Sequence, residues 1–362
     1  MHNYEIIYLF VATIPLLSCS SNKDSSVHFI NKDFRKEAKL VKGELVRFEE
    51  ELIYANRYFV YDTLLIVRNN LKSETEIVEF RNLHTGKLLK SIFAKGEGPD
   101  ELLSAQLYLS DNILTVKDIM RDRVSFVNID SLMLSNHYKP VWHNYNSDYH
   151  VLDELNDSCM VMLNSYKYRN DKLGINIDAP RLEVAKKGDN STRWLPTDFK
   201  YYPFNVTNGY IAVSRTHGKI MYACFGSPIM ELYDNRLNLL KEIRIPDDYE
   251  KDLDNISIED DGSLVYRIFR PMASVCCRVV GDYFYTLYNG YAHDVRSFDP
   301  EKNQDPKYFP LIMKFDMDGN FVKSYKTDRY LFELSLSKDG KTAYTVGLDE
   351  NGEFALFRYK LE

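Results

Sequence analysis

Hairpins with polar, Gly/Asp/Asn-rich turns recur along this chain at a spacing that few folds can use. The first pairs Ile77-Val78-Glu79-Phe80-Arg81 with Lys87–Ile92 across Leu83-His84-Thr85-Gly86. Another pairs Ile312–Asp316 with Phe321–Tyr325 across Met317-Asp318-Gly319-Asn320. Turn centres fall near residues 85, 129, 188, 235 and 317, mostly about 44 to 59 residues apart. Self-similarity on that period is the mark of a radial array of small sheets, each unable to bury its own faces alone. Two further strand-like runs precede each hairpin, as Tyr58–Tyr61 and Leu64–Val67 precede the first. Long helical periodicity is hard to find, and the aromatic content of 14 %, mostly Tyr and Phe, suits strands.

Five complete four-stranded units follow from this reading. The second takes Leu132-Met133-Leu134 as its outer strand, and the gap before 317 is filled by insertions at roughly 247–272 and 291–309. The C-terminus supplies three strands (Phe332–Leu336, Thr342–Val346, Phe354–Tyr359) and stops. The segment Lys39–Phe48 has nothing of its own to pair with. Pairing it as the fourth strand of the last unit closes the ring and hides a bare edge. The expectation is an all-β, six-bladed β-propeller over residues 36–362, its last blade closed by an N-terminal strand.

Ahead of that domain, Ile6–Leu17 is uncharged and apolar, too short to cross a bilayer but suited to a signal-peptide core. Leu16-Leu17-Ser18-Cys19 looks like a bacterial lipobox, which makes residues 1–18 the signal peptide, Cys19 the lipidated residue and 19–35 the tether, with Ser20–Ser26 its most flexible part. Net charge is −7, and removing residues 1–18 deletes only Glu5, leaving −6. An acidic chain with scattered basic residues excludes the footprint of a nucleic-acid binder and offers no polybasic membrane patch. Membrane attachment therefore rests on the anchor alone.

Lys95-Gly96-Glu97-Gly98-Pro99-Asp100-Glu101-Leu102 resembles the G-x-G-P-x-E segment of the TolB-like six-bladed β-propeller lipoproteins of Bacteroidetes. Leu336-Ser337-Lys338-Asp339-Gly340-Lys341-Thr342-Ala343-Tyr344 is similar to the turn-and-strand of TolB-type blades. The resemblance implies an exported lipoprotein, anchored in the outer membrane, and no particular reaction. Within the first segment, Gly96 and Gly98 permit backbone that a Cβ forbids and Pro99 stiffens the turn. Glu101 is then expected to accept backbone N–H bonds and pin the crossover between blades 1 and 2.

In such a ring, loops leaving each fourth strand share a face with loops joining strands 2 and 3. That face gathers Arg121, Arg123, Trp142, Tyr145, Tyr149, Tyr201, Tyr202, Phe204, Arg270, Tyr291, His293 and Asp294. Aromatic faces beside Arg suit a glycan, a peptide or an envelope protein. Ligand contacts are assigned to Arg121, Arg123, Trp142, Tyr201, Tyr202, Arg270, Tyr291 and His293. No catalytic residue, metal ligand or cofactor is assigned, and a monomer is expected. The spacing of His137, His143 and His150 does not fit a metal site, and Asp316-Met317-Asp318-Gly319-Asn320 lacks the Glu that a calcium loop needs at its twelfth position. Vicinal Cys276-Cys277 reads as two thiols buried on opposite strand faces. The alternative function is a funnel enzyme, a lyase or lactone hydrolase, metal-dependent or not, working through His217 or His293. Fold analogy alone supports it.

Overall fold

The computed structural model describes residues 27–48, 58–69, 76–118, 120–135, 137–145, 149–164, 182–187, 192–194, 209–225, 227–246, 256–258, 264–266, 272–290 and 309–362. Six antiparallel sheets follow one another along the chain and form the blades. Blade 1 runs from Tyr58 to Ala94, blade 2 from Ala105 to Asn144 and blade 3 from Tyr149 to Trp194. Blade 4 spans Gly209–Arg244, blade 5 Met272–Thr327 and blade 6 Leu331–Lys360. A separate hairpin, Ile256–Ile258 with Leu264–Tyr266, is inserted between blades 4 and 5.

Packing is between blades. Phe59, Phe80 and Leu107 share one buried cluster across blades 1 and 2, and Val60 and Leu65 meet Val346 and Leu356 across blades 6 and 1. Other clusters join blades 2 and 3, 3 and 4, 4 and 5, and 5 and 6. The ring is sealed all round by apolar contact, the main favourable contribution to folding. Cys276 packs toward blade 6 and Cys277 toward blade 4, as strand alternation requires. Burial pushes the Cys276 thiol up to about 12 and Cys277 upward too, so both stay protonated at neutral pH.

The recurring turns have one chemical cause. Asp316 Oδ1 accepts the N–H groups of Asp318 (3.0 Å) and Asn320 (2.8 Å), while Oδ2 accepts Asn320 Nδ2 (2.8 Å). Asp234 repeats these contacts with Arg236 and Asn238. Hydrogen bonds to the ionised form hold both carboxyls below the usual range despite their partial burial. Asp316 thus spends both oxygens on its own hairpin.

Closure follows a longer route than the sequence suggests. Glu44–Leu45 does pair antiparallel with Phe357 and Arg358 as the fourth strand of blade 6. Lys39–Val41, expected in that same strand, instead runs parallel to Tyr325–Thr327 as a fifth strand of blade 5. Val27–Phe29 runs parallel to Glu242–Arg244 as a fifth strand of blade 4. The propeller therefore begins earlier than residue 36, and residues 27–35 of the expected tether are docked. Burial explains the path, since Ile30, Phe34, Ala38 and Val41 all face the core. Blade 2 carries a second correction. Leu132–Leu134 belongs to a short helix, Ile129–Leu134, capped by Asn128 Oδ1 on the Ser131 N–H (3.0 Å). The outer strand is His143–Asn144.

Candidate functional site

On the loop-rich face, the segment 96–102 folds around one carboxylate. Glu101 Oε2 accepts the Gly98 N–H at 2.6 Å. A Cβ on Gly96 would lie 2.2 Å from that oxygen and one on Gly98 2.9 Å from it, so a side chain at either position would push the Glu101 carboxylate off the Gly98 N–H. Two arginines of blade 2 then staple the segment from outside. Arg121 Nη1 donates to Gly98 O (2.5 Å) and Nη2 to Glu97 O. Arg123 donates to Pro99 O and to Glu101 O (2.7 Å), while its Nε holds the buried Asp118 at 2.9 Å. The Arg123 guanidinium lies 4.2 Å from the Trp142 ring, which packs on Phe93.

Arg121, Arg123 and Trp142 are thus brought together as one rigid cluster. Tyr145 lies beneath it, with Lys117 5.1 Å from its ring centroid. Burial pulls that lysine down to about 8. Two residues that sequence reasoning passed over are exposed next in sequence to this cluster: Met120, beside Arg121, is 66 % exposed and Leu103, after Leu102, 44 % exposed. Their signal was present, as apolar side chains inside polar turn segments. Tyr201, Tyr202, Phe204, Arg270, Tyr291, His293 and Asp294 lie outside the described residues, as does Cys19, and the side chains of Tyr149 and His150 are not described either.

The channel at the ring centre is narrow, because the first strands of blades 2 and 5 approach each other across it. Asp153, on the first strand of blade 3, is wholly buried, and desolvation pushes it up to about 7 despite a 2.8 Å bond from the Glu154 N–H and the nearby Arg215. Glu154 takes the Lys187 ammonium and Arg215 Nη1 (2.6 Å) instead. The folded form therefore binds a proton between pH about 4 and 7 that the unfolded chain releases, and stability falls as pH rises through that window. Asp153→Asn is expected to remove this slope and to raise stability at pH 8 by roughly 2–4 kcal/mol. Urea titrations of both proteins at pH 4.5 and pH 8 measure it, and parallel pH profiles would refute the assignment.

His217 stands in a chain of contacts: Nδ1 lies 2.9 Å from Ser214 Oγ and Nε2 3.1 Å from Asp282 Oδ1. The Ser214 side chain is buried at the end of its strand and bonds within its own hairpin, so it is closed to an incoming carbonyl. Among the described residues no three potential ligating side chains converge as a metal site would require.

A cavity of about 220 Å³ opens at the channel mouth on the opposite face, among the tight turns joining strands 1 and 2. Four of the six blades line it: blades 1 and 6, and blades 2 and 5, which form the constriction. Its walls are Val60, Leu109, Val279, Val280 and Leu336; Asp62, Asp111 and Lys338 also line it.

No protein-family model matches the sequence. No curated protein matches it either. Among solved structures, the chain is similar to a member of the DUF4221 family from Bacteroides vulgatus ATCC 8482. The TM-score is 0.50 at 10 % identity, over 89 % of this chain and 98 % of that one. It is similar as well to a candidate exported protein from Bacteroides fragilis NCTC 9343, at TM-score 0.50 and 10 % identity over 89 % of this chain and 96 % of that one. At such identity the likeness carries the fold, a six-bladed propeller shared with Bacteroides proteins, and nothing finer.

Proposed function

We propose that this chain is an exported, lipid-anchored, monomeric propeller of the TolB-like lipoprotein type that binds or scaffolds a partner in the cell envelope through its loop-rich face. The anchor is Cys19, and the Bacteroides exported-protein likeness supports the export part of the reading. The carrying observation is the stapled 97–101 segment, whose backbone carbonyls are spent on Arg121 and Arg123. A loop held this way pays little ordering entropy on contact. Met120 and Leu103, in the loops that carry the staple, offer thioether and aliphatic surface. Thioether and aliphatic surface suits a peptide or envelope protein.

The test is chemical crosslinking on intact cells followed by recovery of the chain from the membrane fraction. The wild-type chain is expected in that fraction with a crosslinked partner, and Cys19→Ser in the soluble fraction. Met120→Asp with Leu103→Asp is expected to lower partner recovery about tenfold, the loss of a small hydrophobic hot spot. Unchanged recovery in the double variant would show that the partner does not use this face.

A further inference from the structure

We propose that the cavity at the channel mouth binds an amine-bearing apolar ligand with an oxygen acceptor at its far end, the pattern of a short peptide with a free amino terminus. The inference stands apart from the loop-face reading, since the two sites lie on opposite faces of the ring. Three layers of chemistry carry it.

At one wall, Ser335 is 3 % exposed, and its Oγ has no hydrogen-bond partner. A buried hydroxyl left unpaired is costly, and Ser335 is one of the residues lining the cavity. Arg278 lines the same cavity and spends Nε on Leu334 O, Nη1 on Cys277 O and Nη2 on Glu333. A guanidinium has five N–H donors, so these contacts leave two of them for an acceptor oxygen. The middle layer is aliphatic and selects an apolar body.

The exposed Asp62 and Asp111 supply two carboxylates, Lys338 supplies an ammonium, and the Arg278 guanidinium is already paired with Glu333. Both sit at left-handed corners (φ 53 and 51) of tight turns, which fix where their side chains start. Tyr61 between them donates to Asp130 at 2.9 and 3.0 Å. Burial first, then Asp130, Asp111 and Asp62, push its phenol upward, so the two turn carboxylates act on the same place. The two carboxylates offer partners for a ligand cation.

The experiment is calorimetric titration of the purified full chain with leucyl-leucinamide and with its N-acetyl form, which lacks the positive charge. The free amine is expected to bind about tenfold more tightly, the effect of one charge-assisted contact. Asp62→Asn with Asp111→Asn should erase that preference, and Ser335→Ala should weaken both ligands several-fold. Melting curves establish that each variant is folded. Equal binding of both forms, or a preference surviving in the double variant, overturns the amine assignment. Failure of both to bind overturns the site itself, while leaving the crosslinking result on the other face untouched.

Discussion

Arg278→Ala is expected to lower the unfolding free energy by about 3–5 kcal/mol, the range for breaking a buried ion pair from one side. The side chain starts on the first strand of blade 5 and reaches blade 6, where Nε donates to Leu334 O at 2.9 Å and Nη2 meets Glu333. Its Nη1 bonds Cys277 O at 2.7 Å, and its guanidinium lies 5.6 Å from the Phe59 ring centroid of blade 1. One residue therefore ties three blades together at the axis. Truncation leaves Glu333 and two carbonyls without their donor in a low-dielectric channel, and the desolvation of those groups dominates the loss. Arg278→Met with Glu333→Leu should recover most of it, because apolar replacement removes the charges together. Urea denaturation of the singles and the double closes the cycle. Should Arg278→Ala fail to fold, Arg278→Lys, which keeps the charge and loses the fork, is expected to lie between the two. A loss below about 1 kcal/mol would mean that the pair is screened like a surface bridge.

The ring could be read from sequence because its repeated parts are local. Asp234 and Asp316 each organise a hairpin with residues two and four positions on, so the signal sits inside five residues. Blade 6 was legible as a sheet short of one strand, and Glu44–Leu45 fills that place. The parallel additions Val27–Phe29 and Lys39–Val41 were not legible. Three-residue strands carry no measurable period, and their registers depend on partners some 200 residues or more away. Blade 2 misled for a local reason: Leu132-Met133-Leu134 has the apolar content of a strand, but Asn128 caps a helix there.

The Gly96–Glu101 segment could be singled out from its own residues, whereas the arginines that staple it come from the next blade. The cavity was the least visible feature. Val60, Leu109, Val279 and Ser335 meet only when four blades close on one axis, and no short pattern marks that meeting.

Phe34→Ala tests whether the N-terminal segment is a structural belt or a passive leader. Phe34 is 1 % exposed and packs with the buried cluster joining blades 4 and 5. Its ring meets Phe321 edge-on at 6.4 Å, and its carbonyl accepts Ser324 Oγ at 2.9 Å. Next to it Arg35 lies 5.3 Å from the Phe34 ring centroid and 5.4 Å from that of Tyr288, and donates to Phe309 O at 3.2 Å. Removing the ring leaves a cavity between two blades and is expected to cost about 3–5 kcal/mol. The loss should also be directional. Hydrogen exchange is expected to quicken first at Val27–Phe29 and Lys39–Val41, whose short parallel pairings have little else to hold them. Exchange at Glu44–Leu45 should follow global unfolding, since that pair completes a blade. A cost under about 1 kcal/mol, with exchange unchanged along both parallel pairings, would show that the belt adds nothing to closure and that blades 4 and 5 are complete without it.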